Sequence, residues 1–318
     1  MDRISIIVPC YNEEKVLPLF LEETQKVMET VKNVEWEYVF VDDGSRDHTQ
    51  VILQSFAGKY DYCKYVSFSR NFGKEAAMYA GLEHASGDYC VIMDADLQHP
   101  PALLPEMYRA LKNEGYDCCA GFREDRTGEG HMRNFLSHRF YKMISRMCDL
   151  DMNDGAGDFR MMKRTMVDSI LQLKEYNRYM KGIFSFVGFD TKWIPFHNVQ
   201  RAAGETKWNF RSLFSYAVDG IFSFSTAPIR LAGIAGGILF VLAFLLGIFI
   251  AVQTLLFGND VSGFTTIVCL ILFLNGIQLL FISIFGQYIS KDYMENKRRP
   301  IYIVKREVGF ETKKHSPA

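Results

Sequence analysis

Tyr89-Cys90-Val91-Ile92-Met93-Asp94-Ala95-Asp96-Leu97-Gln98-His99-Pro100 is the stretch from which the chain is best read. Its first five residues form an apolar run of strand length, and the run breaks directly into two carboxylates one residue apart. The same event occurs twice upstream. Residues 4–8 run into Pro9-Cys10-Tyr11-Asn12-Glu13, and residues 38–41 stop at Asp42-Asp43-Gly44-Ser45. Helical periodicity over 13–31, with Leu17, Phe20, Leu21, Val27 and Met28 for one face, separates the first two runs. The alternation continues with a helix over 47–57, a strand over 63–68, a helix over 73–85, the strand 89–93, a helix over 101–113 and a strand over 116–121. Such β-α-β repetition predicts an α/β fold with a mainly parallel sheet flanked by helices. Ligands of such sheets bind beyond the carboxyl ends of the strands. Three strand ends therefore carry polar and acidic groups to one rim.

Alternate carboxylates around the small Ala95, followed by Gln98, suit a hard divalent cation that keeps water and phosphate oxygens as its other ligands. Taken alone, an Asp-x-Asp tripeptide is as readily a turn or a helix cap. Its place at a strand end favours the metal reading. His99, next to Pro100 at a helix start, reads either as a further ligand or as a loop residue. Asp42-Asp43-Gly44-Ser45 reads either as an Asx turn or as a site where a carboxylate accepts hydrogen bonds from a nucleobase or ribose.

The formal net charge is −1, with 36 basic and 37 acidic residues, which argues against a protein that coats nucleic acid. Seven cysteines without a Cys-x-x-Cys pair point to buried free thiols rather than a disulfide or zinc framework. Met1-Asp2-Arg3 and the short run after it do not resemble an export segment, so the first domain is expected in the cytosol. Residues 231–257 and 264–289 contain no charged side chain. At about 1.5 Å per residue each reaches roughly 40 Å, enough to cross the roughly 30 Å hydrocarbon core with tilt. The loop between them lacks Lys and Arg. Lys207, Arg211 and Arg230 precede the first run, and Lys291, Lys297, Arg298, Arg299, Lys305 and Arg306 follow the second. The positive-inside rule then puts the domain and both termini in the cytoplasm, with a two-helix hairpin through the cell (inner or plasma) membrane. Residues 210–229 mix aromatics with Arg211, Asp219 and serines, and read as amphipathic helices at the interface or as a helix packed on the domain. The expected division is a catalytic domain over 1–208, juxtamembrane helices over 209–230, the hairpin over 231–289 and a basic cytosolic tail over 290–318. Asn275 and Gln278, polar within the second span, leave a homo-oligomer open.

Several ordered segments resemble family-2 glycosyltransferases of the GT-A fold: Val8-Pro9-Cys10-Tyr11-Asn12-Glu13-Glu14, Val41-Asp42-Asp43-Gly44-Ser45, Asn71-Phe72-Gly73-Lys74, Gly87-Asp88 and Met93-Asp94-Ala95-Asp96-Leu97-Gln98. Gly121-Phe122-Arg123, Arg133 with Ser137, Gly157-Asp158-Phe159-Arg160 and Gln200-Arg201-Ala202-Ala203-Gly204-Glu205-Thr206-Lys207-Trp208 narrow the resemblance to polyisoprenyl-phosphate glycosyltransferases. That group includes dolichol-phosphate mannose synthases and bactoprenol glucosyltransferases. The resemblance covers essentially the whole chain and implies an enzyme. It implies that Pro9, Tyr11, Glu13, Val41 and Asp43 hold the nucleoside of a nucleotide sugar. Asp94, Ala95, Asp96 and Gln98 would hold the diphosphate, with Asp94, Asp96 and Gln98 on Mg2+ or Mn2+. Arg201 and Lys207 would close over the donor phosphates, and Arg123, Arg133 and Ser137 would hold the phosphate of a polyprenyl acceptor. Asp158 would be a base or a group that orients the sugar, or else a helix or turn residue paired with Arg160.

The implied reaction is an inverting transfer of a sugar to a polyprenyl phosphate for cell-envelope glycan modification. The Gly157-Asp158-Phe159-Arg160 version of its motif is more similar to the bacterial glucosyl branch, favouring UDP-glucose and undecaprenyl phosphate over UDP-N-acetylglucosamine or GDP-mannose. A processive polysaccharide synthase usually carries Gln-x-x-Arg-Trp and more spans, and this chain has no Arg-Trp pair. A non-catalytic membrane scaffold would have no need of Asp94, Asp96 and Gln98 together with the arginines.

Overall fold

Strand β1 (Asp2–Cys10) is buried on both faces, with Ile4, Ile6, Ile7 and Val8 all at 0% exposure. A continuous apolar run of this kind belongs inside a parallel sheet covered by helices on either side. A computed structural model of the chain, describing residues 1–123, 156–196, 225–257 and 263–310, shows that arrangement. β1 pairs in parallel with β2 (Val34–Asp42) and β4 (Tyr89–Ile92), and β2 pairs in parallel with β3 (Cys63–Phe68). The crossovers between them are α1 (Leu17–Met28), α2 (Thr49–Lys59) and α3 (Lys74–His84). After α4 (Leu104–Asn113) come β5 (Cys118–Arg123), β6 (Ala156–Lys163), α5 (Arg164–Gln172), α6 (Met180–Phe186) and β7 (Thr191–Phe196). Helices α7 (Ala227–Phe257) and α8 (Phe264–Asn296) and strand β8 (Val304–Val308) complete the described chain. The sheet order is β7-β5-β6-β4-β1-β2-β3-β8.

The sheet is parallel at its heart and mixed at its flanks. β6 runs antiparallel to both β4 and β5, and β8 runs antiparallel to β3. On one face Ile4, Ile6 and Val8 pack with Leu17 and Phe20 of α1, Leu53 of α2 and Met107 of α4. On the other face Ile7, Val39 and Val41 pack with Ala77 and Met78 of α3, Val167 of α5 and Ile183 of α6. Several boundaries differ from the sequence expectation. The first helix starts at Leu17 rather than at 13, because Pro18 stands in its first turn. Proline has no N–H to bond back to an earlier carbonyl and so marks a start. The apolar helices are longer than their uncharged cores, since α7 begins at Ala227 and α8 runs on to Asn296.

Within α7 and α8, the segments Ala227–Leu246 and Phe273–Asn296 are long and apolar enough to cross a membrane, and neither is buried against protein. Exposed apolar surface of that extent is stable in lipid rather than in water. The chain then returns to the domain. The Glu295 carboxylate accepts the N–H groups of Tyr176 (2.8 Å) and Asn177 (3.0 Å). Tyr302 stacks on Phe68 with ring centroids 4.9 Å apart and donates its hydroxyl to Glu83. β8 then extends the sheet edge. Residues 304–308, part of the stretch read above as a basic tail, are thus an edge strand whose charged side chains line an exposed border.

Helix α3 is buried along most of its length, and its small residues let it lie close to the sheet. A methyl group built on Gly81 would sit 2.2 Å from Ile7 Cγ2. Gly81→Ala should therefore lower unfolding stability by about 1–3 kcal/mol through overpacking. Thermal unfolding of the full chain in detergent checks this, and an unchanged midpoint would contradict the close approach.

Candidate active site

Gly44, at φ +68°, lets the turn after β2 pass against the backbone of Arg70 and Asn71, where a Cβ would lie 2.5 Å from the Arg70 carbonyl carbon. Around that contact the loops after β1, β2 and β3 are laced together. Asn12 N–H donates to Ser45 Oγ (2.9 Å), Arg46 N–H to Asn12 Oδ1 (2.8 Å) and Glu13 N–H to Thr49 Oγ1 (2.9 Å). Asp42 accepts from Ser45 N–H (2.9 Å) and from the Ser67 hydroxyl (2.7 Å), so its buried carboxylate braces the turn. Asp43 accepts Phe72 N–H (2.6 Å) and Gly73 N–H (3.0 Å), one on each oxygen. These two bonds hold the turn into α3, where Gly73 takes φ +99° and Lys74 is the first helical residue.

Lys74 is where the rim converges. Its Nζ lies 2.7 Å from Asp94 Oδ1 and 2.7 Å from Asp158 Oδ2. The chain order around the rim explains why these two carboxylates meet. β4 and β6 pair antiparallel as far as Ile92 with Arg160, and Asp94 follows two residues after the end of β4 while Asp158 precedes Arg160 by two in β6. Burial opposes ionisation of Asp158, but the Lys74 ammonium, helped by Lys181, outweighs it and holds the carboxyl well below the usual range. Burial likewise disfavours charge on Lys74, and Asp158 and Asp94 overcome it and hold the ammonium above its ordinary value. Asp158 Oδ1 is buried without a hydrogen-bond partner among the described residues, so the carboxylate is anchored by its other oxygen. It is a strand residue. Arg160 instead donates to the Gly157 carbonyl (3.1 Å) and lies over the Phe184 ring, so the pairing considered for Asp158 and Arg160 is replaced by one with Lys74.

The loop after β4 shows the turn reading of its tripeptide directly. Asp96 Oδ1 accepts Gln98 N–H (3.1 Å) in a local turn, and Leu97 takes a left-handed φ of +57°. Asp94 faces the rim while Ala95 is buried beneath it. His99 is buried, stacked on Phe159 and edge-on to Phe196, with Nδ1 4.0 Å from Asp94. No cluster of three or more His, Cys, Asp or Glu side chains is close enough to hold a metal among the described residues. A cation held by Asp94 and Asp96 would therefore draw further oxygen ligands from Gln98 or a bound phosphate. The carboxylates suit such an ion as hard oxygen ligands, although the Lys74 ammonium now paired with Asp94 would have to give way to it.

Of the other residues expected at the site, Pro9, Tyr11 and Glu13 lie at the carboxyl end of β1, partly exposed. Val41 has 0% exposure, so its side chain packs in the core. Arg123 ends β5. Arg133, Ser137, Arg201 and Lys207 lie outside the described residues. Lys74 carried no role in the sequence reading. Its signal was a lysine at a helix start, where the dipole disfavours a cation. Cys10, Cys63, Cys90, Cys118 and Cys119 are buried and unbridged, as expected, and burial pushes their thiols up.

Comparison with known proteins identifies relatives of the chain. The model of the family described as glycosyl transferase family 2 matches residues 5–171. CsbB of Bacillus subtilis (strain 168), which bears the name glycosyltransferase, is 42% identical over 302 residues, 95% of this chain and 91% of its own. The Escherichia coli (strain K12) protein named prophage bactoprenol glucosyl transferase homolog is 39% identical over 304 residues, 96% of this chain and 99% of its own. The bactoprenol glucosyl transferase of Shigella phage SfV is 39% identical over 305 residues, 96% of this chain and 99% of its own.

Asp43 offers a test of the rim. Burial pushes its carboxyl from 3.8 up to about 6, against the two N–H groups that favour the ionised form. The folded chain thus binds this proton more tightly than the unfolded chain. The stability it contributes is fully present below about pH 3.8 and is lost as pH rises through about 6. Two pH units carry about 3 kcal/mol, which solvent at the rim reduces to about 1–2 kcal/mol. Asp43→Asn should flatten the fall in unfolding free energy between about pH 4 and pH 7. An unaltered slope would show that Asp43 is not the group responsible.

Proposed function

The chain belongs to glycosyl transferase family 2, and from that premise we propose that it moves glucose from UDP-glucose to a polyprenyl phosphate such as undecaprenyl phosphate at the membrane. The observation that carries this reading is an acidic rim, with Asp94, Asp96 and Asp158, on a chain that also bears two unburied apolar helices. A soluble nucleotide sugar and a lipid acceptor call for those two features together. Relatives named as bactoprenol glucosyl transferases, aligned over nearly the whole chain, support the acceptor class and favour the glucosyl donor. The product would be a polyprenyl-monophosphate sugar used in cell-envelope glycan modification.

In this proposal the division of labour follows the domain plan: a GT-A catalytic domain over 1–208, juxtamembrane helices over 209–230, the membrane hairpin over 231–289 and a basic segment over 290–318. The basic flanks place the domain and both termini on the cytoplasmic side. Pro9, Tyr11, Glu13 and Asp43 border the nucleoside, while Val41 contributes from below through packing. Asp94, Asp96 and Gln98 would hold Mg2+ or Mn2+. Such an ion supplies neutralisation of the diphosphate leaving group. Arg201 and Lys207 would add positive charge to the same group, and Arg123, Arg133 and Ser137 would receive the acceptor phosphate.

The acceptor phosphate is anionic near neutral pH, since the second pKa of a phosphate monoester is about 6. Its oxygen can bond to the anomeric carbon as the bond from that carbon to the diphosphate oxygen breaks, with the electron pair leaving on the diphosphate. No proton has to be removed from the nucleophile. The residues have to align two anions and screen their repulsion. Asp158, ionised and tied to Lys74, is poorly suited to be a strong base and better suited to orient the groups around it. Single displacement inverts the anomeric centre, so an α-linked donor gives a β-linked lipid.

Asp96→Ala should reduce transfer by at least about 100-fold while the protein stays folded and membrane-bound. Product formation from radiolabelled UDP-glucose and undecaprenyl phosphate with Mg2+ or Mn2+ measures it, and full activity would sink the metal-loop assignment. Arg133→Ala should raise KM for the lipid about tenfold with little change for the nucleotide sugar. A change confined to the donor would overturn the acceptor-phosphate role. Mass analysis of lipid products from a donor panel tests the sugar, and a dominant product from UDP-N-acetylglucosamine or GDP-mannose would replace glucose.

A further inference from the structure

We propose that the Lys74 ammonium is a built-in counter-ion of the donor site. It is a positioning residue that holds Asp94 and Asp158 in register until a divalent cation takes over the charge of Asp94. This inference rests on the donor-site reading of the Asp94 loop.

Carboxylates brought close to one another repel. Asp94, two residues past the end of β4, and Asp158 of β6 lie close enough to share one ammonium. Lys74 Nζ stands between them, 2.7 Å from Asp94 Oδ1, 2.9 Å from Asp94 Oδ2 and 2.7 Å from Asp158 Oδ2. Its position is built rather than incidental. Lys74 is the first residue of α3, where partial positive charge from the helix N-terminus opposes a cation, so local helix energetics do not select it. The turn before it is clamped by Asp43 through the Phe72 and Gly73 N–H groups. The residue after it, Glu75, accepts Met180 N–H at 2.8 Å and ties α3 to α6. Anchors on both sides thus fix the start of α3 beside the two carboxylates.

A cation that engages Asp94 displaces the ammonium from that carboxylate but not from Asp158. Lys74 then remains at Asp158 Oδ2 and keeps that carboxylate in place. The ammonium therefore competes with metal at one carboxylate and supports turnover at the other. Opposite signs follow for metal affinity and for catalysis. A purely structural lysine would weaken both.

The test uses the full-length protein in lipid nanodiscs and the Lys74→Met, Lys74→Gln and Lys74→Arg variants. Mn2+ binding without nucleotide is read by calorimetry, and kcat and KM are measured separately. The uncharged Met and Gln variants should bind Mn2+ about tenfold more tightly than the parent, because a competing positive charge has been removed. Their kcat should fall about 100-fold with little change in KM for the lipid. Lys74→Arg, which keeps the charge, should stay within about threefold of the parent in Mn2+ affinity. Lys74→Gln keeps a hydrogen-bond donor and answers the question even where the Met variant does not fold. Mn2+ affinity that is unchanged or weaker in Lys74→Gln overturns the counter-ion role. Adding Asp96→Ala to Lys74→Gln should abolish the gain. A gain that persists in the double variant supports competition at Asp94 but refutes Asp96 as a metal ligand, so the two readings fail separately.

Discussion

Two carboxylates held close together are unstable without positive charge between them, and at this rim Lys74 supplies it to Asp94 and Asp158. The surrounding loops bear on where that ammonium sits. Asp43 spends both oxygens on the turn into α3, Asp42 braces the turn after β2, and Gly44 permits the close passage of the two. A lysine at a helix start works against the helix dipole, and a buried carboxylate works against solvation. Each is tolerated because the other is there. Local rules are broken together where a site has to hold charge in readiness for a charged ligand.

The membrane helices are joined to this rim by bonded contacts as well as by chain connectivity. Glu295, near the end of α8, caps the backbone at Tyr176 and Asn177. A few residues later Met180 N–H meets Glu75, the neighbour of Lys74. On the same face of the sheet, towards its edge, the chain leaving α8 lays Tyr302 on Phe68 and adds β8 to β3. These contacts attach the membrane part to the domain at two places.

The chain's alternation of strand and helix, the acidic ends of three strands and the two spans could be read directly from the amino acids. Each is a local pattern: apolar runs of strand length, carboxylates next to them and uncharged stretches longer than a bilayer. The start of the first helix was misplaced because Pro18 was outweighed by apolar periodicity. Strands β6 and β8 escaped notice for a different reason. Gly157-Asp158-Phe159-Arg160 reads as a motif, and 304–308 alternates charge in a way that resembles a solvated tail, since an edge strand has a polar border.

Sequence alone therefore determined the α/β class, the acidic rim and the two long apolar helices, all of which follow from residues near one another in the chain. Tertiary structure alone decided what Asp158 is paired with. Lys74, Asp94 and Asp158 come from three separate elements, and only the β4–β6 register and the start of α3 bring them within hydrogen-bond reach. Pairings across such sequence distance are set by strand order and crossover direction, which local residue patterns do not encode.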